Sequence, residues 1–361
     1  MRGLSVDHLS VRGFRNISSA DIELAPTFNV VHGDNGHGKT NLLEALYVLG
    51  SSKSFRASKV KDCVQFGAES TSVRASVRED GLLRTQSVGI GRGARSVKVD
   101  DKRPPSLSAY AVKTPMVVFH PGEIVLSTGP GAERRRLLDR VSLFFDARAL
   151  ETLDAYARAL KSRQRVLEQR GTSASELDAF EELVVQHGML VMEQRARASS
   201  ELVPSAEAAF ARIAAPGLVL SVSYEPSAPA SVEDFRRALV EHRERDARRG
   251  SASVGPHRDD LALSIDERSV RGVASQGQHR AVTLALKAAE IDVVGRARGA
   301  RPVLLLDDVS SELDRERTAA LFRFLSEQRG QVFLSTTRPE MLELPERASL
   351  VVRDGVVRVS S

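Results

Sequence analysis

Eight residues early in the chain, Gly33-Asp34-Asn35-Gly36-His37-Gly38-Lys39-Thr40, follow the pattern G-x-x-x-x-G-K-[ST]. A loop of this kind binds nucleotide phosphates. Its glycines let successive backbone N–H groups converge on phosphate oxygens, and the helix that follows points its positive end at the same anion. Lys39 is placed to reach the β- and γ-phosphates, and Thr40 to put its hydroxyl on Mg²⁺. A second centre lies far along the chain. Pro302-Val303-Leu304-Leu305-Leu306-Asp307-Asp308 reads as a buried strand that delivers two carboxylates at its C-terminal end, where ligands of α/β folds sit. Asp307 is expected to hold Mg²⁺, directly or through water, and Asp308 to orient or deprotonate an attacking water. An Asp pair after a strand can also cap a turn; the phosphate loop upstream favours the catalytic reading.

These residues need a strand–loop–helix unit and a neighbouring strand. The run Phe28-Asn29-Val30-Val31-His32 is apolar enough for the entering strand, and residues 41–49 carry Leu42, Leu43, Ala45, Leu46 and Val48 for the leaving helix. Residues 4–11 alternate as in a half-buried strand, with Leu4 and Val6 on one face and Leu9 and Val11 on the other. Further strands are expected at 20–24, 218–224, 301–307 and 331–335, and β-hairpins over 71–99, where Gly81, Gly89, Gly91 and Gly93 punctuate alternating segments.

The middle of the chain changes character. From about residue 131 to 215 the pattern is helical and strongly charged. Leu153, Tyr156, Leu160 and Leu167 fall near heptad spacing, as do Leu177, Phe180, Val184, His187 and Val191, and Gly171-Thr172-Ser173 separates the two runs. The simplest arrangement is an antiparallel hairpin of helices roughly 25 residues long, about 37 Å each; an ordinary small helical subdomain is the other reading. The expected division is therefore 1–125 and 216–361 for an α/β head, with 126–215 inserted as a helical arm.

The chain has 361 residues, a net charge of +5 and a pI near 9.5. The modest positive balance favours polyanionic partners. Aromatic residues make up only 5%, with no Trp, so a DNA contact is expected to run through phosphates. A single cysteine, Cys63, excludes a disulfide framework. No apolar run is long enough to span a membrane, and residues 1–8 lack a secretory apolar region, so a cytoplasmic protein without a membrane partner is expected. Lys53, Arg56, Lys59 and Lys61 follow the nucleotide helix with no acid before Asp62. They read either as DNA-phosphate contacts or as a solvated basic loop. The Arg-rich stretch 236–249 reads first as a solvated helix face.

Ala274-Ser275-Gln276-Gly277-Gln278-His279-Arg280 precedes a helical run and resembles the ABC signature, in which a Ser and a Gly opening a helix grip a γ-phosphate. By itself S-x-G-Q could be a plain helix cap. Ser310-Ser311-Glu312-Leu313-Asp314 then resembles the ABC D-loop. Four motifs stand in the order of an ABC-type ATPase. The chain is further identified as similar to the RecF family of SMC-like ATPases by Phe14-Arg15-Asn16, by Gly255-Pro256-His257-Arg258-Asp259-Asp260, by Ser275-Gln276-Gly277-Gln278, and by Leu305-Leu306-Asp307-Asp308 with Ser311-Glu312-Leu313-Asp314. The likeness covers essentially the whole chain.

That resemblance implies an SMC/ABC-type P-loop head with a short helical insertion. It implies ATP and Mg²⁺ as cofactors, with Arg15, Asn16, Ser275, Gly277, Gln278 and Asp314 joining the phosphate loop around the nucleotide. ATP would be sandwiched between two heads, so a homodimer forms on ATP binding and hydrolysis releases it. The implied function is DNA replication and repair: slow, DNA-stimulated ATP hydrolysis, ATP-dependent DNA binding at gaps and stalled forks, RecA loading with RecO and RecR, and the SOS response. Two positions depart from ABC transporters. His120 stands where a Q-loop Gln is usual, and Ser335-Thr336-Thr337 offers no switch His. His120 either contacts Mg²⁺ or water, or is a surface side chain. A transporter subunit would need both missing residues, an SMC tether would need coils of hundreds of residues, and a small-metabolite kinase would need neither signature nor D-loop.

Overall fold

A computed structural model describes residues 3–91, 94–308, 330–339 and 347–360. They form two compact units, one made of residues up to 123 with those from 294 onward, the other of residues 124–293.

The first unit has two sheets. The six-stranded sheet runs Val356–Ser360, Arg347–Arg353, Phe28–His32, Val332–Thr336, Val303–Leu306, Met116–Phe119 from edge to edge. All its pairs are parallel except the first, a hairpin. Its inner strands read as continuous apolar runs because both faces are covered. The second sheet is antiparallel, in the order Ile17–Glu23, Leu4–Phe14, Thr71–Glu79, Leu82–Ile90, Arg95–Val99. The helix Lys39–Ser51 packs against strands of both sheets. Leu42, Leu43, Ala45, Leu46, Val48 and Leu49 are accordingly all fully buried, since a helix covered on every side needs apolar residues around its circumference. Gln331 joins the sheets: its Oε1 accepts the Val6 N–H, and its Nε2 donates to the carbonyls of Val6 and Ala25, each at 2.8 Å.

The first strand corrects the simple alternation. Leu4, Val6, Leu9 and Val11 are all buried, because the pairing with Thr71–Glu79 shifts register between Val6 and His8. One extra residue there reverses the phase of the side chains.

In the second unit the helices Ala149–Arg170 and Glu176–Ile213 form the expected pair, and Gly171 follows the first with φ 80°. The second helix is longer than expected, 38 residues with Pro204 inside it. Tyr156, Leu167, Leu177, Val184 and Val191 are buried. The pair is not a bare arm, however. Phe235 and Leu239 of the helix Val232–Glu241 share its core, and Gly188 approaches Phe235 so closely that a Cβ would lie 2.8 Å from the ring. A three-stranded sheet, Arg268–Ser269, Asp260–Ile265, Leu220–Glu225, also belongs here. Residues 216–293 therefore cluster with the helical hairpin, unlike the expected boundary at 215/216.

Two polar hubs account for this. Arg163, fully buried, donates to Glu181 at 2.9 Å, Asp246 at 2.7 Å and the Leu239 carbonyl at 2.7 Å. Asp259, also fully buried, accepts from Arg195 at 3.0 Å and from the Ser227 N–H at 2.8 Å, while Asp260 takes Arg134 in two bonds of 2.7 and 2.8 Å. The Gly255–Asp260 run is thus a structural knot within this unit. The Arg-rich stretch forms the helices Val232–Glu241 and Arg243–Arg249, with Arg236 paired to Glu182 and Arg243 to Asp178 and Glu181.

Candidate nucleotide-binding site

The parallel strand Phe28–His32 ends in the phosphate loop, and the loop ends in the helix Lys39–Ser51. Two of its glycines are sterically required. Gly33 has φ 142° and a Cβ there would stand 2.2 Å from the Val352 carbonyl; Gly38 has φ 115° and a Cβ would stand 2.7 Å from Asn16 Oδ1. Lys39 Nζ lies inside the loop, donating to the carbonyls of Gly33 at 2.8 Å and Asp34 at 2.9 Å and to Asn35 Oδ1 at 3.4 Å. Burial lowers its pKa, against the raising influence of Asp308, Asp307 and Asp34.

The acidic strand meets the loop directly. Thr40 Oγ1 donates to Asp307 Oδ1 at 2.8 Å, and Ser335 Oγ donates to the same oxygen at 2.7 Å. Ser335 also accepts the Asp308 N–H at 3.0 Å, and the Asp307 N–H is held by the Phe119 carbonyl at 2.8 Å. The parallel register, Leu306 beside Leu334, brings Ser335 alongside Asp307. Asp308 has φ 49°, a left-handed conformation that Asp tolerates better than most residues. Thr40 and Asp307 offer hard oxygen donors side by side. This fits Mg²⁺, which takes one or two protein ligands and completes its shell with phosphates and water.

This geometry agrees with the comparisons. A family model described as the RecF/RecN/SMC N terminal domain matches residues 5–357. The chain is 37% identical to the DNA replication and repair protein RecF of Geobacter sulfurreducens, over 98% of this chain and 99% of the relative, and 38% identical to that of Geobacter metallireducens with the same coverage. The chain belongs to the RecF family. Among solved structures, the recombination mediator protein RecF-ATP in the RecFOR pathway matches with a TM-score of 0.88 at 28% identity, covering 100% of both chains. The corresponding RecF-ATPrS structure matches with a TM-score of 0.91 at 28% identity, covering 99% of both. The Smc head domain of Pyrococcus furiosus shares the fold alone, with a TM-score of 0.56 at 17% identity over 99% of this chain and 96% of that one. The architecture is that of an SMC-like ABC ATPase head.

Within this RecF-family head the Arg15–Asn16 pair divides its contacts. Asn16 Nδ2 donates to the His37 carbonyl of the phosphate loop at 3.1 Å and its Oδ1 accepts from Asn41 at 2.8 Å. Arg15 turns to Glu44, donating at 3.0 and 2.7 Å, and to the Asp62 carbonyl at 2.7 Å. Glu44 is fully buried and also accepts the Ser54 hydroxyl at 2.5 Å. Burial opposes its charge, yet Arg15, Ser54 and Arg56 hold the carboxyl below its usual range. Burial and that same Glu44 push the Cys63 thiol up to about 12.

The basic segment behaves unevenly. Arg56 folds back to donate to Asn41 Oδ1 at 2.9 Å and lies 3.7 Å from Glu44, so its guanidinium is engaged by the nucleotide helix. Lys53, Lys59 and Lys61 are exposed. His120 Nδ1 accepts the Gly122 N–H at 3.1 Å, and its ring lies 5.2 Å from that of Phe55. Arg134, Arg135 and Arg136, which also carry positive charge, are bound to Asp260, the Asp259 carbonyl and Glu133.

In the second unit, Ser275 and Gln278 form a reciprocal cap on the helix Gln276–Arg298. Ser275 Oγ accepts the Gln278 N–H at 3.2 Å, and Gln278 Oε1 accepts the Ser275 N–H at 2.8 Å. Ser275 is exposed and Gly277 half-buried. Asp314 and the rest of the D-loop run lie outside the described residues.

Sequence reading missed the C-terminal hairpin. Its turn lies on the phosphate loop: the Gly355 N–H donates to the His37 carbonyl, and the Asp354 N–H to His37 Nδ1, both at 3.0 Å. Asp354-Gly355 is legible as a hairpin turn, but nothing local says where that turn lands. Of Ser335 the sequence shows only that no switch His stands there.

Proposed function

We propose that the chain is a DNA replication and repair protein of the RecF type, an ATP-dependent DNA-binding ATPase acting at gapped or stalled-fork DNA in the cytoplasm. The observation that carries this is the contact of Thr40 with Asp307 at 2.8 Å, joining phosphate loop and acidic strand, in a chain related over its full length to RecF proteins. The loop amides and Lys39 bind the β- and γ-phosphates. Thr40 and Asp307 hold Mg²⁺, which neutralises phosphate charge when bound. Asp308 orients the attacking water. Ser275, Gly277 and Gln278, with Asp314, reach the γ-phosphate of a second copy, so ATP binding is homodimerisation and slow, DNA-stimulated hydrolysis reverses it. Gly33, Asp34, Asn35, Gly36, His37 and Gly38 shape the cradle; Asn16 braces it, and Arg15 sets the strand-end loop from Glu44. Lys53, Lys59 and Lys61 contact DNA phosphates, with Arg56 in a supporting role. RecO and RecR are the protein partners, in support of RecA loading.

The test is a titration of single-stranded, duplex and gapped DNA with and without ATP. ATP should raise affinity, most for gapped DNA. Equal affinity with and without ATP on every substrate would overturn the reading.

A further inference from the structure

Phe66 is 103% exposed. Phe14, Phe119, Phe210, Phe235 and Phe333 are by contrast buried, and no other described phenylalanine is exposed. An aromatic ring left wholly in water forgoes a large apolar burial and leaves both its faces open to a ligand.

The backbone beneath it is well anchored. The Ala68 N–H donates to the Gln65 carbonyl at 3.0 Å and Gly67 has φ 82°. This is a β-turn with its positive φ at the third residue, which sets Phe66 at the outer corner. The Gln65 N–H donates to the Gly13 carbonyl at 2.8 Å and Gln65 Nε2 to Ser18 Oγ at 2.9 Å. Val64 bridges to Phe14, and Cys63 is fully buried. The ring is thus presented from a fixed turn.

Its flanking segment carries exposed charge of both signs, with Asp62 and Glu69 as acids. Lys59 and Lys61 are exposed just before the turn, and Arg12, next to the Gly13 that anchors it, is exposed too. Cations within a few residues of a flat apolar ring match a nucleotide, phosphate to the cations and base to the ring. In a continuous duplex each base face is already covered by its neighbours. A free face exists where stacking is interrupted, at an unpaired nucleotide.

We propose that Phe66 stacks on an unpaired base at the edge of a single-stranded stretch, while Lys59 and Lys61 hold adjacent phosphates. The proposal rests on the reading of that basic segment as a DNA contact. It makes one aromatic side chain a determinant of preference for gapped over continuous DNA.

The test uses the full chain and a gapped DNA carrying 2-aminopurine at the first unpaired position, beside a continuous duplex. Wild type should quench the 2-aminopurine. Phe66→Ala should abolish that quenching and weaken gapped-DNA binding by about 5- to 150-fold, with duplex binding unchanged. Phe66→Trp should restore both. Because the ring packs on nothing, the variant should unfold like wild type. Lys59→Ala with Lys61→Ala should weaken binding to both DNAs and flatten the salt dependence. If that pair changes nothing while Phe66→Ala abolishes quenching, the phosphate reading fails and the stacking stands. Equal loss on both DNAs for Phe66→Ala would overturn the stacking. So would unchanged DNA binding and quenching with lost ATP-dependent dimerisation, which would make Phe66 a contact between two copies.

Discussion

Replacing Gly355 by Ala tests whether the C-terminal hairpin shapes the phosphate loop. Gly355 has φ 76°, and a Cβ would stand 1.9 Å from the Asn16 carbonyl. To restore ordinary contact the turn must retreat by about 1.5 Å. The left-handed conformation alone costs Ala about 1–2 kcal/mol. The retreat also breaks the 3.0 Å bond from the Gly355 N–H to the His37 carbonyl, worth about 0.5–1.5 kcal/mol. The expected total is about 1.5–3.5 kcal/mol of stability. The share falling on His37 should weaken ATP binding by roughly 2- to 12-fold. Gly81 is the control, with φ 82° but nothing within 4 Å of a Cβ. Gly81→Ala should carry only the backbone cost and leave ATP affinity alone. Urea unfolding and titration with a fluorescent ATP analogue read the two effects. Wild-type ATP affinity in Gly355→Ala, or the same behaviour in both variants, would refute the reasoning.

The two acids should separate. Asp307→Asn should weaken Mg²⁺-dependent ATP binding, measured by calorimetry, since Thr40 and Ser335 both donate to that carboxylate. Asp308→Asn should keep binding and lower the single-turnover rate by about 10²–10⁴; equal loss of binding in both would contradict the division of roles. Glu290, buried beside Arg140 at 2.7 Å and Lys287 at 2.5 Å, gives a pH prediction. Burial opposes its charge, but the two cations outweigh burial and bring its pKa to about 2, from 4.5. A depressed carboxyl stabilises the fold above its unfolded pKa, and that stabilisation is lost as pH falls from about 4.5 toward 2, on the order of 3 kcal/mol in all. The stability gap between wild type and Glu290→Gln, from urea unfolding at successive pH values, should narrow through that window; a constant gap would count against the pairing.

The phosphate loop and the acidic strand were legible because their chemistry is local. A strand, a glycine turn and a helix stand consecutively in the sequence, and Val303–Leu306 is apolar enough to be buried on both faces. What required the structure was contact between distant segments. Ser335 reaches Asp307 only through parallel strand register, and His37 meets Gly355 across 317 or more intervening positions only because the hairpin folds back onto the loop. In the sequence Arg56 reads as an open cation because its partners, Asn41 and Glu44, sit on a helix whose exposed and buried faces the apolar pattern alone does not resolve. The heptads of the helical hairpin were readable, but their third partner, Phe235, lies beyond the sequence window in which such patterns are sought. The phase reversal in Leu4–Phe14 was hidden for a simpler reason: a bulge leaves no consistent residue signature.

The most direct test of the central account, that ATP is shared between two heads, is sedimentation velocity of wild type and Ser275→Arg with Mg²⁺ and a non-hydrolysable ATP analogue. Wild type should shift from monomer to dimer. The variant should bind the analogue with near-wild-type affinity, since Lys39 and the loop amides belong to its own head, and should remain monomeric because the added cation blocks the partner's γ-phosphate. A Ser275→Arg protein that dimerises like wild type would contradict the shared site.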